Sequence, residues 1–378
     1  MKSQDVSKSA VNRAKTLASG QRRVYVGLSG GVDSAVSAAL LKKDGYDVTG
    51  VFIKVWQPDW MECNWKEERL EAMRVAAHLE IPFVTLDLVQ EYKKEVIDYM
   101  IAEYAAGRTP NPDVMCNRYV KFGAFWKWAK EQGADFVATG HYARITNADD
   151  GTTKTFKLLA GIDTNKDQSY FLWTLNQNDL DHILFPVGHL TKPEVRKLAD
   201  KFKLPNAEKK DSQGLCFIGK VDVKEFLAHY IQAKPGNVLN ENGEIVGKHP
   251  GALLFTIGER HGFTVDKKTP NDKPYFVTDK DVEQNTITVS NRNESDALPG
   301  AQKRVRITKV NWVSGAAPES FSLEARSRYR QLLSKIRIIS SGISETELEF
   351  TEPQDTLTPG QSLVIYNGDE CMGGGVIV

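Results

Sequence analysis

The sequence predicts an α/β fold with a Rossmann-like parallel sheet, followed by a small central β-rich domain and a C-terminal β-barrel. Three observations predict it. Strand and helix patterns alternate over the first half of the chain. The first strand runs into a glycine loop that opens a helix. Beyond about residue 220 helices become scarce, and short β-rich runs are separated by Gly and Pro turns.

In order, Val24–Leu28 is a β-rich run ended by Ser29-Gly30-Gly31-Val32-Asp33-Ser34, and Ala35–Lys43 reads as a helix. Tyr46–Ile53 is expected as the second strand, which completes a βαβ unit. Glu67–Leu79 has helical periodicity. Ile81–Leu88 is a third strand started by Pro82, and Glu95–Ala106 is a helix stopped by Gly107. Lys121–Gln132 is a further amphipathic helix, and Asp135–Thr139 a strand that ends at Gly140-His141. Such alternation argues for a parallel sheet covered on both faces. Past Val223–Ile231, the β-rich runs are Tyr275–Thr278, Thr286–Val289, Val305–Val310, Thr346–Phe350 and Ser362–Tyr366, a composition suited to small barrels. The expected division is a disordered tail over 1–22, a catalytic domain over 23–220, a central domain over 221–295 and a barrel over 296–378. An organelle-targeting role for the tail is the alternative.

Of the 378 residues, 41% are apolar and 26% charged, values ordinary for a globular chain with several cores. No apolar run approaches the roughly 20 residues that span a bilayer. Lys and Arg number 49, as do Asp and Glu, so any nucleic-acid surface has to be a local patch. Four cysteines do not make a disulfide scaffold, and a cytoplasmic location is expected.

The segment from Ser29 to Ser34 joins a strand to a helix. Its glycines let the backbone approach phosphate, and the helix start offers free N–H groups and a positive dipole end. It lacks the Gly-Lys-Ser/Thr of a Walker loop and the spacing of a dinucleotide fingerprint. The loop resembles the PP-loop of ATP pyrophosphatases, which cleave ATP between its α- and β-phosphates. Asp33 suits that chemistry as a Mg²⁺ ligand.

Cys116 follows Arg108-Thr109-Pro110-Asn111-Pro112-Asp113, and the two prolines predict an extended loop between helices. Cys216 lies in Lys210-Asp211-Ser212-Gln213-Gly214-Leu215-Cys216-Phe217-Ile218-Gly219. Neighbouring cations lower a thiol pKa and raise its reactivity. Cys63 and Cys371 read as incidental and as barrel packing. No Cys-x-x-Cys or His cluster suggests zinc. An iron–sulfur cluster at Cys116, Cys216 and one more ligand is an alternative to free thiols.

Taken together, Ser-Gly-Gly-Val-Asp-Ser, the Gly107–Asp113 run with Cys116, Ala138-Thr139-Gly140-His141-Tyr142, Asp163 with Asn165–Leu172, and Lys210–Gly219 resemble the tRNA-specific 2-thiouridylase (MnmA/TrmU) family. Arg328-Tyr329-Arg330-Gln331, Pro359-Gly360-Gln361 and Gly373-Gly374-Gly375 extend the resemblance, which runs from about residue 23 to the end. It implies ATP-dependent 2-thiolation of the wobble uridine of Lys, Glu and Gln tRNAs, with a persulfide donor as partner. It assigns ATP to Gly27, Leu28, Ser29, Gly30, Gly31, Val32, Asp33 and Ser34, with Gly140. Ile53 stands where the family often has a Met lining the adenine pocket. Asn111, Pro112 and Asp113 would meet the target base, with Asp113 as acid or base. Cys216 would carry the persulfide and Cys116 would resolve it. Lys166, Asp167, Gln168, Arg328, Tyr329, His141 and Gln361 would lie at the tRNA. By period-two spacing, Arg326, Arg328 and Arg330 are expected on one strand face.

Overall fold

The computed structural model describes residues 21–61, 65–149, 154–210, 222–266, 273–291, 302–319, 322–342, 344–354 and 357–378. The expected tail up to residue 20, Cys63 and Cys216 lie outside the described residues. The first seven strands are β1 (Arg23–Gly27), β2 (Asp47–Lys54), β3 (Phe83–Asp87), β4 (Phe136–Ala138), β5 (Ala143–Asp149), β6 (Lys154–Ala160) and β7 (Ile183–Leu184). Five of them form a parallel sheet in the order β3-β2-β1-β4-β7.

Helices α1 (Val32–Lys43), α2 (Trp65–His78), α3 (89–105), α4 (112–131), α5 (Gln177–Asp181) and α6 (Lys192–Lys201) belong to this unit. β1 alternates, and its Val24 and Val26 pack on Val36 of α1, Val75 of α2 and Val195 of α6. The opposite face of the sheet, with Val51 and Val137, packs on Tyr92, Val96 and Met100 of α3 and on Val120 and Phe125 of α4. Burial on both faces is why the strands read as near-continuous apolar runs. α3 and α4 each widen into a π-helical stretch, at Lys93–Asp98 and Cys116–Ala124. The chain leaves β1 toward β2 on one side and returns to β4 on the other. Loops at their carboxyl ends therefore diverge and leave a crevice, the usual ligand position in such sheets.

After α7 (Val223–Ala228), a five-stranded sheet follows: β8 (Gly236–Leu239), β9 (Ile245–His249), β10 (Thr264–Val265), β11 (Phe276–Asp281) and β12 (Thr286–Ser290). The last strands are β13 (Gln302–Trp312), β14 (Leu323–Arg326), β15 (Ser334–Ser341), β16 (Glu345–Gln354), β17 (Ser362–Asn367) and β18 (Glu370–Ile377). They run β13-β16-β15-β14-β17-β18, and β13 pairs again with β18, which closes a six-stranded antiparallel barrel. Its interior holds Val305, Ile307, Leu348, Phe350, Leu363 and Ile365.

Two features depart from the sequence reading. The β5–β6 hairpin of the first unit pairs with β18 through Leu158–Cys371 and Leu159–Glu370, so the barrel sheet continues into the first unit. The expected arginine strand also stops short. β14 ends at Arg326, the chain turns over 327–330, and Arg330 has a φ of 65°. The three arginines therefore do not share a face. Arg326 is buried, and its Nη2 lies 2.6 Å from Asp167 Oδ2 and donates to the Tyr366 hydroxyl at 2.8 Å.

This buried pair generates a prediction. Arg326→Met leaves Asp167 uncompensated and should cost about 3–5 kcal/mol. A urea midpoint equal to that of the unsubstituted protein would contradict it.

Candidate active site

β1 delivers Gly27 and the buried Leu28 to the loop at the crevice. Gly31 is the N-cap of α1 with φ −84° and has no side-chain cap. The N–H groups of the first turn have no helical partner, which gives this end of α1 its positive character. The loop is closed on itself by serines. Ser34 Oγ donates to the Gly31 carbonyl at 3.0 Å and accepts from Ser29 N–H at 3.3 Å, while Ser29 Oγ accepts from Gly31 N–H at 3.3 Å. Gly30 has φ +76° and its carbonyl accepts from Asn206 Nδ2 at 2.9 Å.

Gly140, just past β4, presses on the same helix start. A Cβ there would stand 2.7 Å from Ser34 N and 2.8 Å from the Asp33 carbonyl carbon. Only glycine lets the two loops close in this way. Asp33 Oδ1 accepts from the Tyr142 hydroxyl at 2.8 Å and lies 2.7 Å from Lys192 Nζ. Val32 and Ile53 are buried, and the Ile53 side chain belongs to the core beside β2.

The expected loop between helices covers only residues 108–111, and the cysteine itself lies on a helix. Pro112 begins α4, Asn111 is its N-cap, and Asn111 Oδ1 accepts from Val114 N–H at 3.3 Å. Proline is well suited to the first helical position because it needs no donor there. Asp113 stands in the first turn and Cys116 at the junction with the π stretch, fully buried. α4 then runs along the crevice edge. Phe125 lies 3.7 Å from where a Gly27 Cβ would stand, and the Phe122 ring centroid is 5.8 Å from that of His141. The fold thus brings the glycine loop and the Cys116 helix to one edge of one sheet.

The barrel holds the start of that helix. Thr109 N–H donates to the Pro359 carbonyl at 2.9 Å. Gln361 Nε2 donates to the carbonyls of Thr109 and Pro110 at 3.0 and 3.2 Å. The Tyr170 hydroxyl, with one proton to share, lies 3.0 Å from the carbonyls of both Ser327 and Ser362 and is also hydrogen-bonded to Asn111. Among the described residues no group of His, Cys, Asp and Glu is arranged to hold a metal ion. Burial pushes the Cys371 thiol up to about 12, which leaves it unreactive in the joint between β18 and the hairpin.

Family models match the chain in three successive parts. A tRNA methyl transferase HUP domain covers residues 22–220, a tRNA methyl transferase PRC-barrel domain 224–291 and an aminomethyltransferase beta-barrel domain 302–377. The tRNA-specific 2-thiouridylase MnmA of Nitrosomonas europaea is 43% identical over 360 residues, or 94% of this chain and 98% of that protein. MnmA of Geobacillus thermodenitrificans is 45% identical over 361 residues, 94% of this chain and 95% of that protein. This chain belongs to the tRNA-specific 2-thiouridylase family.

In this thiouridylase-family chain, most residues that the sequence assigned to tRNA stand in the joint between units. Asp167 is buried: its Oδ1 accepts from Gly161 and Ser169 N–H at 3.0 Å, and its Oδ2 pairs with Arg326. Gln168 is locked to Tyr142, with Tyr142 N–H donating to Oε1 at 3.0 Å and Gln168 N–H to the Tyr142 carbonyl at 2.9 Å. His141 is buried, with Nδ1 2.7 Å from Thr139 Oγ1, and burial first, then Lys121, holds its pKa well below the usual range. Arg328 donates to the Ile257 carbonyl and, at 3.5 Å, to Thr358 Oγ1. Tyr329 packs on Phe171 with ring centroids 4.7 Å apart. Lys166 remains half-buried at the rim of this joint. The side chains of Asp167, His141 and Arg328 make internal contacts, whereas direct contact with tRNA was expected of them.

The sequence reading missed Tyr142, Lys192 and Asn206 around the loop. Thr191-Lys192-Pro193-Glu194 is a legible helix start. Nothing in its spacing tells that the helix opens opposite Asp33.

Gly140 carries the next prediction. Gly140→Ala places a methyl against α1 backbone, which cannot yield as a side chain would. ATP affinity should fall tenfold or more while the protein stays folded, at an overpacking cost of about 1–3 kcal/mol. Calorimetric titration with ATP checks it, and unchanged affinity would refute the close seating of β4 on the loop.

Proposed function

We propose that this protein replaces the C2 oxygen of the wobble uridine of Lys-, Glu- and Gln-type tRNA with sulfur, converting ATP to AMP and pyrophosphate. The observation that carries the proposal is the common edge of the sheet: a Gly140-clamped phosphate loop beside the helix that bears Asp113 and Cys116. Identity of 43–45% to relatives named tRNA-specific 2-thiouridylases supports the substrate.

The uridine C2 oxygen is a poor leaving group and needs activation. Residues from Gly27 to Ser34 bind the triphosphate, with the first-turn N–H groups of α1 turned to the charge that develops on phosphorus. Asp33 already receives a cation, the Lys192 ammonium, so its carboxylate fits a hard metal ion as well. Mg²⁺ held by Asp33 would supply further neutralisation of phosphate charge. Attack by the uridine oxygen on the α-phosphate expels pyrophosphate and leaves an adenylate. Asn111, Pro112 and Asp113 meet the base, and Asp113 exchanges its proton.

A persulfide on Cys216, received from a cysteine desulfurase or relay protein, then supplies the sulfur. Cys116 attacks the inner sulfur of that persulfide, the terminal sulfur bonds to C2, and AMP leaves with the original oxygen. The resulting Cys116–Cys216 disulfide is reset by an external thiol reductant. For tRNA contact we propose Lys166 and Tyr329 at the rim. His141, Asp167, Gln168, Arg328 and Gln361 act behind them as positioning residues. We place the reaction in the cytoplasm. Among the described residues no helix is long and apolar enough to cross a membrane.

Unmodified tRNA incubated with the protein, ATP and a sulfide source should yield 2-thiouridine by mass spectrometry, with AMP and pyrophosphate as co-products. ADP and phosphate would refute the adenylation. Cys116→Ser should still form AMP but lose multiple-turnover thiolation from a persulfide donor. Full turnover in that variant would remove Cys116 as the resolving thiol.

A further inference from the structure

Asp33 stands in the first turn of α1, and its Oδ1 lies 2.7 Å from Lys192 Nζ. Only 13% of the Lys192 side chain is exposed, against 30% for Asp33. The lysine's main chain is fixed from two sides. Its N–H donates to Asp163 Oδ2 at 2.8 Å, and a capping box between Thr191 and Glu194 closes the start of α6. The flexible part is the four-carbon stem, which carries a compact ammonium. α6 and α1 pack on the same face of the sheet, so the ammonium is held over the phosphate loop.

Charge decides what this lysine does when ATP arrives. A triphosphate on the first turn of α1 brings several negative charges beside the Asp33 carboxylate. The two repel unless cations stand between them. A metal ion that takes Asp33 Oδ1 competes with Lys192 for that oxygen. The ammonium, held over the loop by its Asp33 contact, is then within reach of phosphate oxygens bound at the start of α1.

We infer that Lys192 is a further catalytic residue: it exchanges from Asp33 to the bound triphosphate and neutralises the charge that builds on pyrophosphate as it leaves. The uridine oxygen forms its bond to the α-phosphorus, and the bond from that phosphorus to the bridging oxygen breaks. The electron pair stays on pyrophosphate. Lys192 donates hydrogen bonds and transfers no proton. The inference deepens the adenylation reading and rests on it.

The test uses the full chain with Lys192→Met, which keeps length and loses charge, and Lys192→Arg, which keeps charge. Lys192→Gln replaces the Met variant if that one does not fold. The first readout is affinity for magnesium pyrophosphate by calorimetry, which needs no turnover. The second is kcat and KM for ATP in tRNA-dependent AMP formation. Lys192→Met should lose pyrophosphate affinity about tenfold or more and kcat on the order of 100-fold, with a small change in KM. Lys192→Arg should recover most of both. Unchanged pyrophosphate affinity in the Met or Gln variant would overturn the inference. So would an equal loss in the Met and Arg variants that tracks a lowered melting temperature, since Lys192 would then only brace Asp33. If the unsubstituted protein made no AMP yet bound pyrophosphate through Lys192, the adenylation reading would fail and the phosphate contact would stand.

Discussion

The ion pair between Asp167 and Arg326 sits inside the joint between the first unit and the barrel. Both side chains are buried, and a buried charge costs several kcal/mol unless its partners are complete. Asp167 meets that condition through two N–H groups, the Ser169 hydroxyl and the guanidinium. Arg326 also lies over the Tyr366 ring, 4.8 Å from its centroid. The pair ties the segment after the β5–β6 hairpin to the end of β14. It thereby fixes the barrel edge from which Ser362 and Gln361 reach Tyr170 and the Thr109–Pro110 carbonyls. A barrel far along the chain thus sets where Asn111, Asp113 and Cys116 stand. The residues flanking Asp167 belong to the same arrangement. Gln168 fixes Tyr142, and Tyr142 donates to Asp33. One buried joint therefore bears on both halves of the candidate site, the nucleotide loop and the cysteine helix.

Local signals in the sequence carried much of this. Ser29–Ser34 was legible because glycine spacing and the strand-to-helix change both occur within a dozen residues. The barrel strands were legible as runs because their inward residues alternate, as Val305 with Ile307 and Leu363 with Ile365 do. A barrel was expected, but the pairing of β13 with β18 that closes it and the attachment of β6 to β18 were not legible. Strand pairing over such sequence separations leaves no local trace.

The misread segments have physical causes. Two prolines around Asn111 suggested an extended loop, but Pro112 sits at the one helical position where a missing N–H costs nothing. The π stretch from Cys116 has no sequence signature, yet such stretches often mark functional helices. The period-two reading of Arg326, Arg328 and Arg330 failed because β14 ends at the first of them. A cationic run looks the same in sequence whether it faces solvent or closes a joint. Burial of Arg326 and the inward bonds of Arg328 distinguish the two cases.

The central claim is that the uridine oxygen itself attacks the α-phosphate held by the glycine loop. Transfer of an isotopic label tests it most directly. Transfer RNA carrying oxygen-18 at C2 of the wobble uridine would be thiolated with unlabelled ATP, and the AMP analysed by mass spectrometry. The account predicts one oxygen-18 in the phosphate of each AMP formed with each 2-thiouridine. Unlabelled AMP, with the oxygen-18 in water or pyrophosphate, would contradict it.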